Sequence, residues 1–106
     1  MAVIPNQTLI DEAAGVLQAA APGATVILFG SYARGDFTEE SDVDFLVVEQ
    51  NPPVYREEAV RLRAALRPLR IPVDVLVTDE DTFATRADTP GTVYYDVRHA
   101  GRVYGT

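Results

Sequence analysis

The chain has 106 residues, no cysteine and a net charge of −7, and all nine of its basic residues are arginines. This length predicts one domain over residues 1–106, whose folding removes roughly 65% of the accessible surface of the unfolded chain. Disulfides, thiolate metal sites and cysteine nucleophiles are excluded, and the acidic balance argues against sequence-independent binding of nucleic acid, which rests on neutralising phosphates. No basic region followed by an apolar run opens the chain, and no apolar stretch reaches the length of a bilayer, so a cytoplasmic protein without membrane contact is expected.

Thr8 and Asp11 suggest a capping box, placing a helix start near Leu9. Leu9, Ala13, Val16, Leu17 and Ala20 follow at helical spacing until Ala21-Pro22-Gly23 stops the pattern. Thr25-Val26-Ile27-Leu28-Phe29 is a β-branched strand ending in Gly30-Ser31. A short helical turn over Tyr32-Ala33-Arg34, an acidic loop to Glu40 and a second strand at 42–48 come next. Asp42 and Asp44, at i and i+2, point to one side of that strand, leaving Val43, Phe45 and Val47 for burial.

Gln50-Asn51-Pro52-Pro53 is a break. A helix is expected from Val54 to about Leu69, with Tyr55, Ala59, Leu62, Leu66 and Leu69 on one face. Arg56, Arg63, Arg67 and Arg70 lie elsewhere on it, as a solvated face or a docking surface for an acidic partner. Pro72 resets the chain into a strand at 73–77 carrying Asp74, a charge among apolar neighbours that is costly unless paired. Asp79-Glu80-Asp81 caps a short helix anchored by Phe83. A last helix begins at Pro90 with Val93, Tyr94 and Val97 as its apolar positions, Gly101 ends it, and Arg102-Val103-Tyr104 reads as an edge strand. The order describes a small α/β (α+β two-layer) sandwich: a mixed sheet with helices on one face and the carboxylates on the other, open face.

Paired carboxylates are hard oxygen ligands suited to magnesium, which binds through one or two carboxylates together with substrate phosphates. Gly30 allows close backbone approach to an anion, and the Ser31 hydroxyl with neighbouring amides can bind phosphate. The stretch therefore reads as a triphosphate cradle beside a metal-binding pair.

Gly30-Ser31, Ala33-Arg34-Gly35 and Ser41-Asp42-x-Asp44, with a third carboxylate at Asp74 thirty residues after Asp44, resemble the DNA-polymerase-β-like nucleotidyltransferase superfamily, and within it the minimal nucleotidyltransferase branch. The resemblance implies that Asp42, Asp44 and Asp74 hold two Mg2+ ions and that Asp74 helps deprotonate the attacking hydroxyl. Gly30 and Ser31 would bind the β- and γ-phosphates of ATP, and Arg34 contacts phosphate or pairs with Asp36 or Glu39. It further implies transfer of AMP to a protein, because the chain has no room for a domain holding a separate acceptor. In that branch the small protein is the antitoxin of a helical HEPN-type toxin, whose tyrosine receives AMP. Two alternatives stand beside this reading: a non-catalytic module that neutralises the partner by covering it, and an enzyme for a small molecule such as an aminoglycoside, with a pocket assembled by dimerisation. His99, the only histidine, sits near a helix C-terminus and is read as structural. Tyr94, Tyr95 and Tyr104 are read as core and surface aromatics.

Overall fold

The computed structural model describes residues 5–52 and 54–104; the leading segment 1–4 and Pro53 of the proline break lie outside the described residues. Helix α1 spans Gln7–Ala20 and starts two residues earlier than the Thr8 box suggests, because Asn6 is the cap: its Oδ1 accepts the Leu9 N–H at 2.9 Å. Ile10, Ala13, Ala14 and Leu17 form its buried stripe, with Leu9, Val16 and Ala20 on the flanks.

Strand β1 is Thr25–Phe29, α2 is the single turn Ser31–Arg34, and β2 is Val43–Glu49. Helix α3 covers Tyr55–Ala65 and gives way to a 3-10 turn at Arg67–Leu69 rather than running on to Leu69. Pro68 is the cause, since it has no N–H for an α-helical bond and disfavours helical geometry in the residue before it. Leu62 and Leu66 are fully buried below it, whereas Tyr55, expected on the buried face, is 41% exposed. Strand β3 is Val73–Asp79 and α4 is Glu80–Arg86, capped by Asp79, whose Oδ1 accepts the Thr82 N–H at 2.6 Å. Helix α5 is Val93–Ala100, beginning beyond Pro90 because Thr92 caps it, and β4 is the short edge Arg102–Val103.

The sheet order is β3-β2-β1-β4. β1 pairs antiparallel with β2 and β4, and β2 pairs parallel with β3. The larger core lies on one face, where α1 and α3 cover Val26, Leu28, Val43, Phe45, Val47 and Val75. The other face is open at its carboxylate end and over β3, where Leu76 is exposed. Further along, Ile27, Leu46 and Val48 are buried under Val97 of α5, with Phe83 and Tyr94 beside them. Leu46 and Val48 are the alternate residues of β2, and an apolar pair there needs a cover of its own.

Among the described residues no helix is long and apolar enough to cross a membrane. His99 is tied down locally, with Nδ1 2.8 Å from the Tyr95 carbonyl and its ring stacked on Tyr95 at 4.0 Å. Tyr94 meets Phe83 edge-on, and Tyr104 meets the fully buried Phe45 in the same way.

Candidate active site

β1 ends at Phe29, which lies opposite Asp44, so the next residue, Gly30, turns directly over that carboxylate. Gly30 has φ +76°, and a Cβ there would overlap the side chain of Asp44. Both facts demand glycine, one through backbone conformation and the other through space. Ser31, half-buried, then opens α2, and Gly35 closes it in the left-handed region, donating its N–H to the Ser31 carbonyl at 2.8 Å.

The parallel register sets Asp44 against Asp74 on neighbouring strands, with both side chains on the same face and the strands about 4.8 Å apart. Asp42 precedes β2 and is exposed, and alternation carries it to the same side. The three acids therefore crowd one end of the sheet. Burial, then the charges of Asp74 and Asp42, raise the Asp44 carboxyl to about 6, while Arg34 acts in the opposite direction. Asp42 also helps burial to push the Tyr32 hydroxyl upward. Asp74 is exposed on an edge strand, so its placement is telling because of its in-register neighbour and not because it is desolvated. Among the described residues, no three acidic, histidine or cysteine side chains close into a ready-made metal cage.

Arg34 pairs with Asp36, as one of its two sequence readings has it, but also with Asp96 on α5, each at 3.4 Å. Asp96 was invisible to sequence reasoning, being 62 residues away with no spacing that announces it. Tyr32 stacks on Phe37 with ring centroids 4.3 Å apart and 6° between planes, which fastens the acidic loop to α2. The Thr38 N–H donates to Ser41 Oγ at 2.9 Å and closes that loop just before Asp42. Glu39 and Glu40 are exposed in it, and neither is among the charges that move Asp44.

A glycine turn over an acidic strand pair, on a small mixed sheet, defines a nucleotidyltransferase domain. Residues 10–96 match the profile of the nucleotidyltransferase domain family, and the chain belongs to it. A candidate protein adenylyltransferase of Methanocaldococcus jannaschii is 45% identical over 53 residues, which are 50% of this chain and 52% of that protein. The chain thus spans about half the length of this relative and of a second one from the same organism. In fold it is similar to a candidate nucleotidyltransferase from Sulfolobus solfataricus, with a TM-score of 0.61 and 23% identity over 92% of this chain and 77% of that one. It is also similar to a chain from a toxin–antitoxin structure with AMP-PNP, with a TM-score of 0.57 and 23% identity over 96% of this chain and 75% of that one.

Proposed function

We propose that this protein is a Mg2+-dependent adenylyltransferase that moves AMP from ATP to a hydroxyl, a tyrosine, of a HEPN-type toxin and so acts as its antitoxin in the cytoplasm. The observation that carries this reading is the crowding of Asp42 and Asp74 around Asp44, itself set against Gly30, with Asp44 raised to about 6 by burial and by its like-charged neighbours. Carboxylates crowded at a cost to folding mark a functional site, and what they lack is positive charge.

The donor set fits magnesium, since every group is a hard carboxylate oxygen. Asp42, Asp44 and Asp74 would hold the two ions, which when bound neutralise charge on the triphosphate and the reacting oxygens. Gly30 and Ser31 line the approach of the β- and γ-phosphates, the glycine because no side chain stands between backbone and anion. Arg34, held beside the site by Asp36 and Asp96, is placed to meet phosphate. Asp74 is exposed and so can take the proton of an acceptor arriving from solvent. The acceptor oxygen forms a bond to the α-phosphorus, the bond from that phosphorus to the bridging oxygen breaks, and pyrophosphate leaves with the electron pair.

A protein acceptor is favoured because Asp42 and Asp74 are exposed at the open end of a sheet rather than enclosed in a small-molecule pocket. The names of the relatives and of the toxin–antitoxin neighbour point the same way. The test is the intact mass of the partner encoded beside this gene, after incubation with this protein, ATP and magnesium. A gain of whole AMP units, absent with a folded Asp42→Ala, Asp44→Ala double variant, is the expected result. An unchanged mass with a tight complex would overturn the chemistry and leave a protein that neutralises by covering.

A further inference from the structure

Between the outer flank of α3 and the entry to β3 runs a groove of about 390 Å³. It exists because Pro68 ends the helix, a 3-10 turn follows, and Arg70, at φ +54°, swings the chain back into Ile71 and Pro72. The helix and the returning strand therefore diverge, and the space between them is left unfilled. Val60, Ala64, Ile71 and Val73 give it an apolar floor, and Arg63 and Arg67 stand on its rim. Val60 is 54% exposed, an apolar residue on the outer surface of a helix that no other described element covers.

The arginines are as unusual as the floor. The protein carries −7, yet Arg56, Arg63, Arg67 and Arg70 all fall within fifteen residues of one another. The ion pairs found among the described residues use Arg34, Arg61 and Arg98, and none of these four. Arg63 and Arg67, four residues apart on the same groove and without an ion pair among the described residues, repel one another, so an acidic occupant is favoured by complementarity.

We propose that this groove docks an acidic, amphipathic segment of a protein partner, with its apolar side chains on the floor and its carboxylates on Arg63 and Arg67. A nucleic acid fits less well, because the floor offers apolar side chains rather than a stacking platform and the rest of the surface is strongly acidic. A second copy of the chain is the other occupant that the test below separates.

The position gives the docking a use. Val73 on the groove floor is the chain neighbour of Asp74, and alternation sends the two side chains to opposite faces of edge strand β3. A partner anchored in the groove is held around that edge from the carboxylates, raising the effective concentration of its acceptor. This use rests on the adenylyl-transfer reading; the docking surface itself does not.

The test is amide chemical-shift mapping of the 15N-labelled protein. The probe is a synthetic peptide with leucines and glutamates at helical spacing, titrated to millimolar concentration. Shifts concentrated at Val60, Ala64, Ile71 and Val73, reduced at least tenfold in affinity by Arg63→Glu with Arg67→Glu, are expected. Both arginines are exposed, so the variant keeps its fold, which its own spectrum verifies. A polyglutamate peptide without leucines should bind markedly more weakly. The proposal is overturned by absent or scattered shifts, by equal binding to the variant, by an RNA oligonucleotide producing the same map, or by self-association that the double variant abolishes. The readout is binding alone, so a failed transfer reaction with intact docking removes the chemistry and spares the groove, and the converse holds equally.

Discussion

Replacing Asp44 by asparagine should stabilise the cation-free protein. The substitution keeps the shape beneath Gly30 and removes one of three crowded charges. Asp44 is raised from 3.8 to about 6 in the folded protein, a difference that corresponds to about 3 kcal/mol before screening. The side chain is only partly buried, and solvent screening roughly halves that sum, leaving about 1–2 kcal/mol. In a domain of this size that raises Tm by at least about 5 °C. The direction with pH follows from linkage. A raised folded value means the stability is fully present below pH 3.8 and lost as pH rises through about 6. The gap between variant and parent should therefore be near zero at pH 4, open between pH 4 and 7, and stay constant to pH 8. Thermal unfolding in EDTA across that range measures it, and magnesium should then raise the Tm of the parent more than that of the variant. An Asp44→Asn protein that melts at or below the parent at pH 8, or a gap independent of pH, would refute the reasoning.

Gly30→Ala combines a left-handed backbone with a Cβ that overlaps the Asp44 carboxylate, so a loss of about 2–3 kcal/mol is expected in urea unfolding, together with lost nucleotide binding. Arg61→Ala leaves Glu58, 8% exposed, without its 2.6 Å partner and beside Glu49, which burial and Glu58 raise to about 7. The expected cost is about 1–2 kcal/mol at pH 8. Arg61 holds Glu58 below its ordinary value, so this stabilisation is present above pH 4.5 and lost as pH falls through the lowered value; the deficit of the variant should shrink in acid. Leu62→Ala, at a fully buried site under β2 and β3, should cost about 2–5 kcal/mol and lower the denaturation midpoint without altering nucleotide affinity.

Most elements were legible because their causes are local. The β-branched run at 25–29, the apolar run expected at 42–48 and found at 43–49, and the Asp79 cap each act within a few residues. The misplaced start of α1 reflects two equally good capping choices, Asn6 and Thr8, between which sequence offers no preference. The early end of α3 was written in Pro68 and outweighed by an apolar spacing that continued through Leu69. The cover over Leu46 and Val48 could not be read, because a pattern says that a helix face is apolar and not which surface it meets. Nor could the exposure of Asp74 be read, since apolar chain neighbours look the same in a central strand and at an edge.

The sequence by itself determined the chemistry available: which carboxylates exist, that Asp42 and Asp44 share a side, and that a glycine and a serine precede them at the end of a strand. These follow from backbone periodicity and side-chain type, which act over a few residues. Tertiary structure alone decided that Asp74 stands in register with Asp44, that Gly30 sits against the Asp44 carboxylate, and that Asp96 reaches Arg34 across 62 residues. Such meetings depend on strand pairing and helix docking, in which burial of Val43, Phe45 and Val75 selects the register and carries the charged residues with it.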